Sequence, residues 1–164
     1  MCHKNIVPDS FNKLANIFVP MHIEYQIISQ QSPYWPQVLD IRQRLLRIPL
    51  GLNLYDEDLQ AEADQYTAVA LIDNQVAACL MAKVLNEQLI KFRQMAVDTI
   101  YQKKGIGARL IAYTEDYCRR QGYKHIELNA RFSVAGFYIQ SGYTQEGDLF
   151  EEVGISHIKM IKTI

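Results

Sequence analysis

Met95-Ala96-Val97-Asp98-Thr99-Ile100-Tyr101-Gln102-Lys103-Lys104-Gly105-Ile106-Gly107-Ala108 is the stretch on which the reading of this chain turns. An apolar run ends at Val97, a short polar loop follows, and two glycines open the longest helical pattern in the sequence. The first N–H groups of a helix have no partner inside it, and the helix dipole makes that end partly positive. Such an end suits an anion, a pyrophosphate in particular. Gly105 and Gly107 carry no side chain to hold a phosphate off the backbone, and Lys103 and Lys104 add charge. The stretch contains neither GxGxxG nor GxxxxGK[ST], which removes the dinucleotide fingerprint and the Walker loop. On its own it leaves two readings open, an anion site or a plain helix start.

Downstream of the loop, Ile106, Leu110, Tyr113 and Tyr117 share one helix face, with Ile111 and Cys118 beside them. Asp116, Arg119 and Arg120 are left for solvent, and Gly122 is a natural C-terminal stop. Lys124–Ala130 reads as a strand, Ser133–Gln140 as a short helix closed by Gly142, and 143–151 and 155–162 as two last strands. Upstream, Gln88–Val97 is a strand. Tyr66–Ile72 and Val76–Val84 form a hairpin about Asp73-Asn74-Gln75. Before it, 22–29 alternates as a strand. Tyr34–Arg47 follows as a helix stopped by Pro49, and 49–64 is acidic and turn-rich with room for one short helix. The order β-α-(α)-β-β-β-α-β-α-β-β predicts an α/β fold with one mixed sheet. The central helix between neighbouring strands predicts a parallel pair within it.

The chain has 164 residues, the size of one ordinary domain, with 49% hydrophobic and 21% charged residues, enough to bury a core. A net charge of -1 gives no global field toward nucleic acid or anionic membrane. No apolar run reaches the length of a membrane span, and the first residues lack the uninterrupted apolar stretch of a signal peptide. Cys2, Cys79 and Cys118 are odd in number and far apart, which reads as reduced thiols in a cytoplasmic protein. His3, His22, His125 and His157 show no metal-ligand spacing, so no metal is expected. Met21-His22-Ile23-Glu24-Tyr25-Gln26-Ile27-Ile28 reads as a fresh start running into a strand. The expected organisation is an N-terminal arm, residues 1–20, and one domain, residues 21–164, with either Met1 or Met21 as the native start.

Three further motifs give the loop its context. Arg93-Gln94-Met95-Ala96-Val97 precedes it, Phe137-Tyr138-Ile139-Gln140-Ser141-Gly142-Tyr143 follows it, and Glu151-Glu152-Val153-Gly154-Ile155-Ser156-His157-Ile158-Lys159-Met160 comes after both. With Gln102-x-x-Gly105-x-Gly107 these resemble, in order, the fourth strand, the FYxxxGF segment, the C-terminal tail and the phosphate loop of the GNAT superfamily of N-acetyltransferases. The tail is similar to that of its ElaA-like branch. The resemblance covers about residues 22–163. Arg131, Gln94 and Ser156 depart from residues common in the family, and Pro49-Leu50-Gly51-Leu52 stands where a Glu-Gln-Gly stretch is usual.

The resemblance implies a single-domain GNAT fold with acetyl-CoA between splayed fourth and fifth strands. Gln102, Lys103, Lys104, Gly105, Ile106, Gly107 and Ala108 would grip its pyrophosphate. Backbone of Met95, Ala96 and Val97 would hold the pantetheine arm and polarise the thioester carbonyl. Phe137 and Tyr138 would flank the cofactor, with Tyr138 as the acid for the departing thiolate, since a phenol of pKa about 10 arrives protonated. Glu127, Glu151, Glu152 and His157 are candidates to take the proton of the attacking amine, histidine because it titrates near neutrality. A relay through water would need no single base. Asn129 lies near the cofactor, and Arg131 would meet a cofactor phosphate or a substrate carboxylate. Asp56-Glu57-Asp58 is either a solvated loop or an attraction for a cationic amine. The expected activity is acetyl transfer to a primary amine of a small molecule or peptide, by direct attack in a ternary complex. A CoA-binding regulatory module without turnover is the alternative. The expected partners are acetyl-CoA and an amine acceptor, with room for a homodimer.

Overall fold

The computed structural model describes residues 21–164. The expected arm, residues 1–20, lies outside the described residues. The chain opens with strand β1 (Glu24–Ile28) and helix α1 (Trp35–Arg42). The helix expected to run to Arg47 closes sooner. A π-helical turn takes Gln43–Arg47 and a 3-10 turn takes Ile48–Leu50, ending at Gly51 with φ +69°. Pro49 offers no N–H to continue a regular helix, and glycine accepts the left-handed exit without strain. The acidic stretch after it holds two short 3-10 turns, Leu54–Asp56 and Leu59–Glu62, in place of one helix. Asn53 and Asp58 cap them through their side-chain oxygens.

Strands β2 (Tyr66–Ile72) and β3 (Gln75–Val84) form the expected hairpin. Asp73 and Asn74 turn it with φ of +49° and +59°, the pair of positive values that a two-residue hairpin loop needs. Then come β4 (Leu89–Val97), α2 (Ile106–Arg120), β5 (His125–Arg131), α3 (Ala135–Gln140), β6 (Thr144–Glu152) and β7 (Ile155–Thr163). The start of the expected 133–140 helix is a 3-10 turn, Phe132–Val134.

One seven-stranded sheet takes the order β1-β2-β3-β4-β5-β7-β6. Every pair is antiparallel except β4 with β5, the parallel pair that the intervening α2 predicts. Helices α2 and α3 lie on one face. There Leu80, Phe92, Leu110, Ile126, Leu128 and Met160 make the main core. Helix α1 lies on the other face, where Val38 and Ile41 meet Val69, Cys79 and Ala96. Strand β2 therefore shows Ala68, Ala70 and Ile72 to one helix layer and Val69 and Leu71 to the other.

Register is broken at one place that matters for function. Cys79 pairs with Ala96, but Met81 pairs with Arg93, so β4 carries an extra residue opposite Leu80. Gln94 sits in this bulge with φ +51°. A left-handed non-glycine residue is held there by its surroundings. The Gln94 Nε2 donates to Glu62 Oε1 at 2.9 Å, and Glu62 in turn is paired with Arg42 Nη2 at 2.8 Å. Arg42 is wholly buried and Glu62 nearly so. A buried ion pair between α1 and the 59–62 turn thus anchors the bulge of β4.

Candidate active site

Strands β4 and β5 pair only from Leu89 with His125 to Phe92 with Leu128. Beyond Phe92 they part, so the β5-facing edge of β4 from Arg93 to Val97 has no strand partner. A bulge bends and twists its strand, and this one lies where the parting begins. The gap is a cleft of about 780 Å³. Met95, Ala96, Val97, Gln102, Asn129, Arg131, Tyr138, Glu152 and His157 all line it. Residues far apart in the chain are thereby gathered at the C-terminal ends of the parallel pair.

The glycine loop leaves the open end of β4. Asp98 accepts from Ile100 N–H in a 3-10 turn, and Gln102 Nε2 donates back to Val97 O at 2.9 Å. Lys103 (φ +59°) and Gly105 (φ +73°) then reverse the chain into α2. Among the described residues, no backbone or side-chain acceptor takes the N–H groups from Lys103 to Ala108. This run of unpaired donors at a helix start is a cradle for an anion. Arg109 adds a guanidinium beside it, donating to Lys104 O at 2.9 Å. The sequence signal for Arg109 is a cation within the first turn after a glycine loop. Lys104 lies over the Tyr101 ring at 5.6 Å.

Gly107 has a tighter reason to be glycine than the phosphate. A Cβ there would lie 3.0 Å from Met95 Cε, 3.3 Å from Val97 Cγ2 and 3.4 Å from Phe137 Cζ. The missing side chain lets α2 approach both β4 and α3. Phe137 is thus packed behind the loop, while Tyr138 reaches the cleft. The Tyr138 hydroxyl lies 3.8 Å from Met95 Sδ, and its ring meets Phe137 and Tyr143 edge-on. Burial pushes its phenol up to about 12, so the group holds its proton through the neutral range.

The four candidate bases separate. His157 is buried on β7, opposite Arg131 in register and stacked on Phe150 at 6.0 Å. Its Nδ1 lies 2.8 Å from Ile155 O. A carbonyl only accepts, so Nδ1 carries the hydrogen, and in the neutral ring Nε2 presents the lone pair. Glu152 lines the cleft but accepts from Asn129 Nδ2 at 2.9 Å. Glu151 is exposed next to it on β6. Glu127 lies outside the cleft in ion pairs with Lys159 at 3.1 Å and Lys91 at 3.8 Å. Of the acidic stretch, Glu57 reaches the cleft, and there Arg47 engages it through two nitrogens. Arg47 holds the Glu57 carboxyl below the usual carboxylate range. Asp56 and Asp58 are used locally, by Asn53 Nδ2 and by the N–H groups of Gln60 and Ala61.

Among the described residues, no helix is long and apolar enough to cross a membrane. The family model described as "Acetyltransferase (GNAT) domain" matches residues 52–164. The chain is 28% identical over 151 residues to the uncharacterized N-acetyltransferase YitI of Bacillus subtilis (strain 168), covering 87% of this chain and 97% of that one. The crystal structure of Escherichia coli ElaA superposes with a TM-score of 0.74 at 19% identity, over 86% of this chain and 99% of that one. A GNAT family acetyltransferase from Elizabethkingia anophelis with acetyl-CoA bound does so with a TM-score of 0.66 at 18% identity, over 87% and 98%. The sequence match, the fold and the splayed parallel pair agree, and the chain belongs to the GNAT acetyltransferase family.

Proposed function

We propose that this protein transfers an acetyl group from acetyl-CoA to a primary amine by direct attack in a ternary complex. The observation that carries the reading is the junction of three features. Unpaired N–H groups from Lys103 to Ala108 open onto an unpaired edge of β4, and the Tyr138 hydroxyl faces that same cleft. These features fit a long anionic thioester. The helix start suits its pyrophosphate, the bare edge of β4 its amide-bearing arm, and the cleft its acyl end. The acetyl-CoA bound to the Elizabethkingia protein, which has the same fold, supports the choice of donor.

Acetyl-CoA supplies an activated acetyl carbon and a thiolate leaving group. The residues of this chain do the rest. An N–H on the free edge of β4, within Met95, Ala96 and Val97, polarises the carbonyl oxygen, where negative charge grows during attack. His157 Nε2 takes a proton from the attacking amine. Tyr138 gives its own proton to the leaving sulfur, which its raised pKa keeps available. One C–N bond forms, one C–S bond breaks, and solvent returns the Tyr138 proton while accepting that of His157. The acid and base stand on opposite layers, Tyr138 from α3 and His157 from the α1 face of the sheet, so the reacting carbon lies between them. Glu127, held by two lysines, is the least suited of the candidate bases.

Calorimetry with acetyl-CoA, followed by thiol release across an amine panel, tests the reading. Saturable binding with release for at least one amine is expected. Binding without release for any amine would leave a CoA-binding module instead.

A further inference from the structure

The charges on the acceptor side of the cleft do not balance. Arg47 is taken by Glu57, and Lys91 by Glu127. Arg93 and Arg131 also line the cleft, both half-buried, and among the described residues neither side chain has a hydrogen bond or an ion pair. Glu152 is the nearby carboxylate on this wall, and its hydrogen bond comes from Asn129 rather than from either arginine. Glu57 feels the field of Arg93, yet its hydrogen bonds go to Arg47.

The two arginines also stand on the right layer. Phe92, Leu128 and Ala130 belong to the core under α2. Their neighbours Arg93 and Arg131 alternate to the opposite face, the face of α1 and His157. The pyrophosphate cradle, in contrast, sits at the start of α2. Arg93 and Arg131 project from the two strands that part, one from each wall of the gap, and Arg131 is directly opposite His157 in register. Both guanidinium groups stay accessible in the cleft with their donors uncommitted, and planar donors of this kind suit a carboxylate or a phosphate in two-point contact.

Resting on the transfer reaction above, we propose that the acceptor is an amine that carries its own anionic group. Arg93 and Arg131 hold that group and leave the amine beside His157. The acidic stretch then plays no part in recognition, because Arg47 and the local caps use its carboxylates.

The test uses acceptor pairs that differ only in the anion: amino acids against their amides for the carboxylate, and phosphoethanolamine against ethanolamine for the phosphate. Two readouts are taken on each pair. One is kcat/KM for thiol release, and the other is the thermal shift of the CoA-saturated protein, which needs no turnover. The anionic member is expected to be favoured by about tenfold or more in kcat/KM, and to give the larger thermal shift. Arg93→Gln and Arg131→Gln should each collapse that ratio toward one. Their acetyl-CoA affinity should stay within about twofold of the parent, and their unliganded melting temperature unchanged. The arm that shows the preference identifies the anion. Equal use of both members overturns the proposal, as does a loss of acetyl-CoA affinity in the arginine variants, which would move them to the donor. An anion-dependent thermal shift with no release for any amine would overturn the transfer reaction and leave the anion site standing.

Discussion

The α2 side of the cleft presents backbone: free N–H groups from Lys103 to Ala108 and the bare edge of β4. The α1 side presents side chains: Arg47 on Glu57, Arg42 on Glu62, unpaired Arg93 and Arg131, and His157 with one nitrogen committed. Backbone is the same in every sequence, so a site made from it needs only a turn of the right shape. A site made from side chains changes with each substitution. The difference teaches that the two walls would answer differently to substitution. In the reaction proposed above, geometry would hold the donor and charge the acceptor.

The sharpest break between the two sides comes at Tyr138, which stands where they meet. Tyr138→Phe should cut kcat by about 10²- to 10⁴-fold while acetyl-CoA affinity changes by less than about twofold. Single-turnover kinetics and calorimetry check both halves. Full activity would remove Tyr138 from the chemistry.

Next is Glu62, which joins the layers. Glu62→Ala leaves Arg42 buried with no counter-charge and frees Gln94 in its strained conformation. A loss of about 3–5 kcal/mol in unfolding free energy is expected by denaturant titration. Unchanged stability would mean that the bulge does not depend on the pair.

These two residues also show what the sequence discloses. The place of Tyr138 on a short helix beside the cleft was legible because a short motif carries it. The hairpin, the glycine loop and the parallel pair were legible for the same reason, each being set by neighbours in sequence. Glu62 was not. Its role depends on Arg42 and Gln94, which are brought to it from α1 and β4 by the fold. The bulge was equally hidden, since Gln94 is no glycine and only the broken register exposes its conformation. Helix α1 is shorter than its sequence predicts because apolar spacing persists through Leu45 and Ile48, while the backbone widens before Pro49.

A smaller effect is expected on the backbone side. Gln102→Ala removes the bond to Val97 O that folds the loop back on β4. Its loss should weaken acetyl-CoA binding by about fivefold, the equivalent of about 1 kcal/mol, with kcat nearly unchanged. A fall in kcat alone would place Gln102 in the chemistry instead.

The smallest effect concerns Glu57, at the partly exposed rim of the side-chain wall. Its folded pKa lies below the ordinary 4.5 through its bonds to Arg47. The pair therefore contributes stability above about pH 4.5, and that contribution fades as pH falls through the lowered value. Solvent screening limits it to less than about 1 kcal/mol. Glu57→Gln should flatten the acid limb of the melting-temperature profile slightly and leave acetyl-CoA affinity untouched.

The most direct test is a crystal structure of the protein with acetyl-CoA. The pyrophosphate should accept from the N–H groups between Lys103 and Ala108. The arm should run along the edge of β4 from Met95 to Val97, with the sulfur within reach of the Tyr138 hydroxyl. Arg93 and Arg131 should remain free of the cofactor. A thioester bound outside the parting of β4 and β5, or phosphates seated on Arg131, would contradict the division between the two sides.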